Sequence, residues 1–231
     1  MFLKFHKKHW YRMITMDLKS KWIIMNSKKI RRIMNKYSLK TIIRVKNPYA
    51  KIAKATQEHR TCKNILKRQF GWLKVFEKLW TDITYLYYNG FICYLSILKD
   101  MISWEIISYK VSSSLWLSIV LDTIKSVKIN LKWAIIHSDQ WFHYTSPNYQ
   151  ILLKNKWVIQ SMSRKWNCLD NAPTESFFWH LKDEIDLSHC KNLKDVEKVI
   201  NKYIFYYNNY RFQWNKKKMT PVEYRNHLED L

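Results

Sequence analysis

Glycine is nearly missing from this 231-residue chain, which has only 2, Gly71 and Gly90; average usage near 7% would give roughly 16. A mixed α/β chain needs glycine for positive φ at turns and helix ends, so other residues must occupy those positions. Cysteine is sparse as well. Cys62, Cys93, Cys168 and Cys190 lie far apart with no paired spacing, which argues against a zinc ribbon and for reduced thiols in a cytoplasmic protein. No run reaches the roughly 18 uncharged apolar residues of a membrane span. The nearest, Tyr85 to Leu98, is broken by Asn89, Gly90 and Ser96. Met1 to His9 is basic but has no long apolar segment or small-residue cleavage site, so no signal peptide is expected.

Acidic residues are also few, 18 against 41 Lys and Arg, leaving a formal charge of +23. Hydrophobic residues at 47% and aromatics at 16% exclude a disordered chain. The positive surplus suits a polyanionic partner, most simply nucleic acid. Abundant Lys, Asn, Ile and Tyr would equally follow from AT-rich codons, so charge alone leaves both readings open. Tryptophan, normally scarce, occurs 12 times.

Residues 1–55 read as a basic helical region. Tyr11 to Lys21 suits one helix, and Asn26 or Ser27 caps a second, Lys28 to Tyr37. The second places Ile30, Ile33 and Met34 on one face and Lys28, Lys29, Arg31 and Arg32 mostly on the other. That pair fits a truncated helix-turn-helix DNA-binding element or, more simply, a solvated helix face. Residues 56–77 read as a linker.

From residue 78 the pattern changes. Leu79 to Tyr88 is rich in β-branched and aromatic residues and reads as a buried strand. Asn89-Gly90 is a hairpin signal leading into Phe91 to Leu98. Glu105 to Ser112 gives a third strand, Ser114 to Lys128 a helix, Trp133 to Ser138 a fourth strand and Val158 to Ser161 a fifth. Ser146-Pro147 opens a short helix between the last two strands. An irregular loop runs from Arg164 to Asp170, and Asn171, Asn192 and Thr220 then cap three helices, the last with a capping box at Glu223. Three antiparallel strands, a helix, then alternating strands and helices is the order of a ribonuclease H-like α/β core: a mixed five-stranded sheet flanked by helices.

Three carboxylates stand out in a chain poor in them. Asp82 sits mid-strand in WTDITY, Asp139 follows an apolar strand in IIHSDQ, and Glu175 lies in the first turn of a helix in DNAPTESFF. A lone Asp in an apolar strand is costly unless neutralised, and a divalent metal neutralises it readily. Taken singly, strand-end aspartates are often caps and a first-turn Glu complements the helix dipole. Together they could hold two Mg²⁺ ions for an in-line displacement at phosphorus. Other constellations fail. His6 and His9 with distant Cys62 lack zinc spacing, and His137, Ser138 and Asp139 alternate faces along a strand, so they cannot form a triad. There is no glycine-rich phosphate loop.

Between Asp139 and Glu175 lie 35 residues, and between Asp82 and Asp139 lie 56. This spacing resembles the D, D-35-E signature of retroviral-integrase-like transposases. The flanking text resembles it too: TDITYL, HSDQ, SMSRKWNCLDNAPTESFFWHLKDE, EHRT at 58–61, YYNNYR at 206–211 and MTPVEYR at 219–225. The chain is similar, over nearly its whole length, to the catalytic OrfB protein of insertion-sequence transposases.

The resemblance implies a catalytic core over 78–231, with Asp82, Asp139 and Glu175 as catalytic residues and ligands of two Mg²⁺ (or Mn²⁺) ions. It implies cleavage of a 3′ strand end followed by attack of the freed 3′-OH on target DNA. It also implies Lys182 as a DNA contact, seven positions after the Glu, which puts both on one helix face. Arg164 and Lys165 in the active-site loop, and Lys28, Lys29, Arg31 and Arg32, are the other expected DNA contacts. The implied partners are the element's terminal repeats, target DNA and further copies of the chain, in a nucleoid-associated setting. The start of the family's N-terminal region is not evident, so the expectation is either truncation or dependence on an OrfA partner. Two rivals remain: an inactive remnant that only binds DNA, and another ribonuclease H-like nuclease.

Where such transposases typically carry glycine, this chain often carries tryptophan: Trp22, Trp133, Trp141, Trp157, Trp166 and Trp179, with Trp10 a further instance. HSDQW, SRKWNC and FFWHLK stand where family text would read HSDQG, SRKGNC and FFGHLK. Independent mutation would scatter glycine codons into several residues, yet one replacement dominates. Either UGA codons that the source organism reads as glycine are rendered here as tryptophan, or an inactive element has decayed from GGA to UGA.

Overall fold

Asn89 and Gly90, with φ of 42° and 78°, make the tight turn between β1 (Lys78–Tyr88) and β2 (Phe91–Asp100), the all-positive geometry that twisted hairpins favour. In the computed structural model, which describes residues 10–41, 61–66, 74–163 and 172–230, this hairpin is the centre of a five-stranded sheet. β3 (Ile106–Ser112) adds antiparallel to β2, while β4 (Ile135–Ser138) and β5 (Ile159–Met162) add parallel on the far side of β1, giving the order β3-β2-β1-β4-β5.

Side-chain alternation along β1 sorts two cores. Leu86 and Tyr88, with Leu95 and Ile97 of β2, face α6 (Ala172–Glu184) and α7 (Leu193–Asn209), meeting Phe177, Phe178, Leu181, Val196 and Ile200. Leu79 and Ile83 point the other way. They meet Ile119, Val120 and Ile124 of α3 (Ser118–Lys125) and Tyr149 and Leu153 of α5 (Pro147–Asn155). The sequence places each of these elements within a few residues. It does not place α4 (Phe142–Thr145), a four-residue helix with no cap signature.

Asn192 caps α7 by accepting from the Asp195 N–H at 3.0 Å. Arg211, just past α7, donates to Glu184 at 2.7 Å in a nearly buried pair, and the Tyr203 hydroxyl donates to the same carboxylate at 3.1 Å. The far end of α6 is thereby pinned to α7. Thr220 and Glu223 form the expected capping box of α8 (Pro221–Glu229). Thr220→Ala is expected to lower unfolding free energy by about 1 kcal/mol, read from the urea midpoint at unchanged slope.

α1 (Tyr11–Lys19) and α2 (Ser27–Lys36) pack through Ile14, Ile30 and Met34, with Asn26 accepting from the Lys28 N–H as cap. Lys28, Lys29, Arg31 and Arg32 are all exposed. The Arg12 guanidinium lies 5.3 Å from the Trp214 ring, joining this pair to the segment before α8. Of the stretch read as a linker, residues 61–66 lie along β5: the Ile65 N–H donates to Ser161 Oγ at 3.0 Å, and Leu66 is buried with Trp80 and Met101. Cys62 and Leu66 supply the apolar surface for this, while Ile65 stays exposed, within a segment otherwise polar enough to read as linker.

Candidate active site

The parallel pairing of β1 with β4 carries the site. Leu79 faces Ile136 and Trp80 faces His137. The pairing ends there; Asp82 lies two residues further along β1, and Asp139 lies just past the end of β4 at Ser138. Asp82 also pairs with Ile97, which belongs to the core beneath α6 and α7, so its carboxylate belongs to that face of the sheet.

Each aspartate is oriented by the backbone just after it. Asp82 accepts from the Ile83 N–H at 2.8 Å, and Asp139 accepts from the Trp141 N–H at 2.9 Å. The Tyr144 hydroxyl, fully buried on α4, senses both: burial pushes its pKa well above the usual range, and the charges of Asp82 and Asp139 push it further. Sequence reasoning passed over Tyr144. Its only signal is its place five residues after Asp139.

Glu175 lies in the first turn of α6, on its exposed side, while Phe177, Phe178 and Leu181 seat the helix over the sheet. Trp179, one turn on, shares that outward face and is 44% exposed. Lys182, a second turn on, sits with its Nζ 4.4 Å from the centre of the Tyr85 ring, three residues beyond Asp82. Tyr85, Leu86, Tyr87, Lys182, Ile185 and Leu187 line a groove of about 240 Å³ there.

Asp82 and Asp139 thus both neighbour the buried Tyr144 hydroxyl, and they do not form a metal-sized group with Glu175. Among the described residues no three His, Cys, Asp or Glu side chains are grouped closely enough to hold a metal ion. Arg164, Lys165, Trp166 and the Asn171 cap lie outside the described residues. His137 is a packed strand residue, as its sequence context suggests, with Nδ1 3.0 Å from Ser161 Oγ. Trp141, the N-cap of α4, has φ −68°, so its backbone makes no demand for glycine.

The family described as integrase core domain matches residues 175–228, from Glu175 through α8. Over 220 residues the chain is 37% identical to the protein named as transposase InsK of insertion sequence element IS150 in Escherichia coli K12, covering 94% of this chain and 77% of that one. The chain belongs to the insertion-sequence transposases. The transposase of element IS904 from Lactococcus lactis is 30% identical over 223 residues, covering 91% and 85%.

Solved structures show that this transposase has the ribonuclease H-like integrase fold. The HTLV-2 integrase catalytic core domain in complex with magnesium superposes with a TM-score of 0.51 at 16% identity, covering 66% of this chain and 98% of that one. A chain of the simian T-cell lymphotropic virus intasome gives 0.55 at 12% identity, with 74% of the transposase matched to 60% of that chain. The transposase is accordingly an enzyme of the polynucleotidyl transferase class. No helix among its described residues is long and apolar enough to cross a membrane.

Proposed function

We propose that this transposase cleaves DNA at the ends of an insertion sequence and joins them to target DNA, using a divalent cation held by Asp82, Asp139 and Glu175. The observation that carries this reading is that Asp82, inside β1, and Asp139, just past the parallel neighbour β4, both act on the same buried Tyr144 hydroxyl. Paired carboxylates are hard oxygen donors that repel one another, a set suited to Mg²⁺ or Mn²⁺. Such ions, two in the full site, would supply stabilisation of the charge that develops on the phosphate oxygens in an in-line displacement. Glu175, projecting from the helix over the same face, is the third donor in this proposal.

The chain's own residues do the rest. The Ile83 and Trp141 N–H groups fix one oxygen of each aspartate, so the carboxylates are oriented before substrate arrives. Lys182, held over Tyr85, takes a backbone phosphate beside the carboxylates. Arg164 and Lys165 take neighbouring phosphates, and the exposed Lys28, Lys29, Arg31 and Arg32 of residues 1–55 bind the element's ends. Residues 78–231 form the catalytic unit, more than one copy assembles on the DNA, and an OrfA product serves as partner.

The test is strand transfer with a labelled element end and Mg²⁺ or Mn²⁺. Product that vanishes on chelation supports the proposal. Salt-sensitive DNA binding with no cleavage would support the remnant reading, which the ungrouped Glu175 favours. Lys182→Ala is expected to weaken binding uniformly across sequences and to reduce the log–log salt slope by about 1. Lys182→Arg should retain both, as filter binding from low to moderate salt would show.

A further inference from the structure

Nine non-glycine residues among those described have positive φ, and four of them are tryptophan: Trp22 at 62°, Trp104 at 67°, Trp133 at 69° and Trp157 at 57°. A side chain that carries a Cβ is disfavoured in this region, and the exceptions are enriched in Asn, Asp and His. Tryptophan has no local hydrogen bond to offer in compensation.

The hydrogen bonds around each of the four define a position that calls for glycine. Trp157 lies just past the cap of α5, where its N–H reaches the Lys154 carbonyl at 2.9 Å and the Val158 N–H reaches back to Leu153 at 2.9 Å. That is a Schellman close, with its left-handed residue at 157. Trp22 repeats the pattern after α1, with the Ile23 N–H bonded to Leu18 at 2.9 Å. Trp133 is the third residue of a turn closed by the Ala134 N–H and the Leu131 carbonyl at 2.9 Å, with positive φ at that third residue alone, as in type II turns. Trp104 ends the β2–β3 turn. There Asp100 accepts from the N–H groups of Ile102 and Ser103 and from Ser103 Oγ, so the loop conformation is set before residue 104 is reached.

We propose that Trp22, Trp104, Trp133 and Trp157 are glycines in the protein that the source cell makes, each encoded by a UGA codon read there as glycine. Trp104 is nominated by the backbone alone, against the packing of its ring on Leu66, Trp80 and Met101 and its place 5.1 Å from Lys99 Nζ and 4.7 Å from Lys216 Nζ. Packing and backbone together separate out two true tryptophans. Trp80 is 3% exposed in β1, packed with Leu66 and Met101, where glycine would leave a cavity. Trp214 has no positive φ, and its ring lies 5.3 Å from the Arg12 guanidinium and 4.9 Å from Lys218 Nζ. These two are encoded by UGG.

A rival use for the exposed rings exists at one place. Trp133 and Trp157 have centroids 5.6 Å apart with Lys132 Nζ 5.7 Å from the latter, which resembles a stacking platform for single-stranded nucleic acid. The two rings precede β4 and β5, however, at the end of the sheet opposite Asp139, and both sit on left-handed backbone. The inference stands apart from the assigned function, since an inactive remnant would carry the same four positions.

Two measurements test it. Peptide mass spectrometry of the chain isolated from its source cells, read beside the gene, is expected to show glycine with UGA at 22, 104, 133 and 157. It should show tryptophan with UGG at 80 and 214. Tryptophan in the cellular protein at any of the four overturns the proposal. In the tryptophan-bearing chain, Trp22→Gly, Trp133→Gly and Trp157→Gly should each raise Tm, by roughly 2–4 °C for a chain of this size, while at 104 the gain is offset by lost packing. Trp80→Gly should instead lose the cooperative transition. Unchanged or lower Tm in the variants at 22, 133 and 157 would overturn the backbone argument, whatever the catalytic assays give.

Discussion

Asp82→Asn and Asp139→Asn are each expected to reduce divalent-metal-dependent strand cleavage by roughly a thousandfold or more, on the function proposed above, and neither should unfold the protein. The size follows from what the pair does: preorganised charge at a phosphoryl-transfer centre is worth several kcal/mol of barrier, and one lost ligand forfeits most of it. The small effect on folding has an equally direct cause. Asp82 in β1 and Asp139, just past the neighbouring β4, are like groups beside one buried Tyr144 hydroxyl. Like charges so placed oppose folding, and an isosteric amide removes one of them while keeping the acceptor that receives the Ile83 or Trp141 N–H. Tm should therefore stay level or rise. DNA affinity should hold or tighten, because the +23 chain gains another positive unit. Glu175→Gln should match the aspartate variants only if its carboxylate joins theirs in the working complex. Assays of product, Tm and filter binding on the same preparations separate these effects. Near-normal cleavage by either aspartate variant would remove the carboxylate mechanism altogether.

The sequence made the frame legible where local chemistry and global packing agree. Asn89-Gly90 allows one tight turn, and the strands either side of it alternate between two cores. Asn192 and Thr220 cap the helices that their side chains specify. Parallel pairing of β4 with β1 is a long-range outcome with no local signature. For that reason the sequence could show Asp82 and Asp139 as candidates with 56 residues between them but not their common neighbour Tyr144. Tyr144 was missed because a buried tyrosine in a four-residue helix looks like any core aromatic until its charged neighbours are located. Lys99 was missed for a related reason. It alternates into the core among Phe177, Tyr207 and Trp104 rings at 5.1–5.8 Å, where burial pushes its pKa well below the usual range. Residues 61–66 bond to β5 through Cys62 and the Ile65 N–H and bury only Leu66 fully, too little to stand out within a polar segment.

Restoring glycine at 141, 166 and 179 together should raise strand transfer on the order of a hundredfold, the scale set by reacting groups displaced through small distances. The three positions do not contribute alike. Trp179 lies one turn beyond Glu175 on the same face of α6 and is 44% exposed, so its indole occupies space a DNA strand must cross to reach that carboxylate. Trp141 is partly buried against the core that holds Tyr144, with its ring 5.4 Å from His143, and its N–H orients Asp139 whatever side chain it carries. Trp179→Gly alone should therefore recover most of the activity. It should also lower stability by about 1 kcal/mol, since glycine inside a helix costs about that much. Trp141→Gly should lose packing and gain less. Trp179→Ala separates bulk from backbone: alanine removes the indole at almost no helix penalty, so it should restore activity nearly as well while leaving Tm higher than the glycine variant. Equal strand transfer by the Trp, Ala and Gly forms at 179, with Lys182 and the aspartates intact, would show that the indole stands clear of the DNA path.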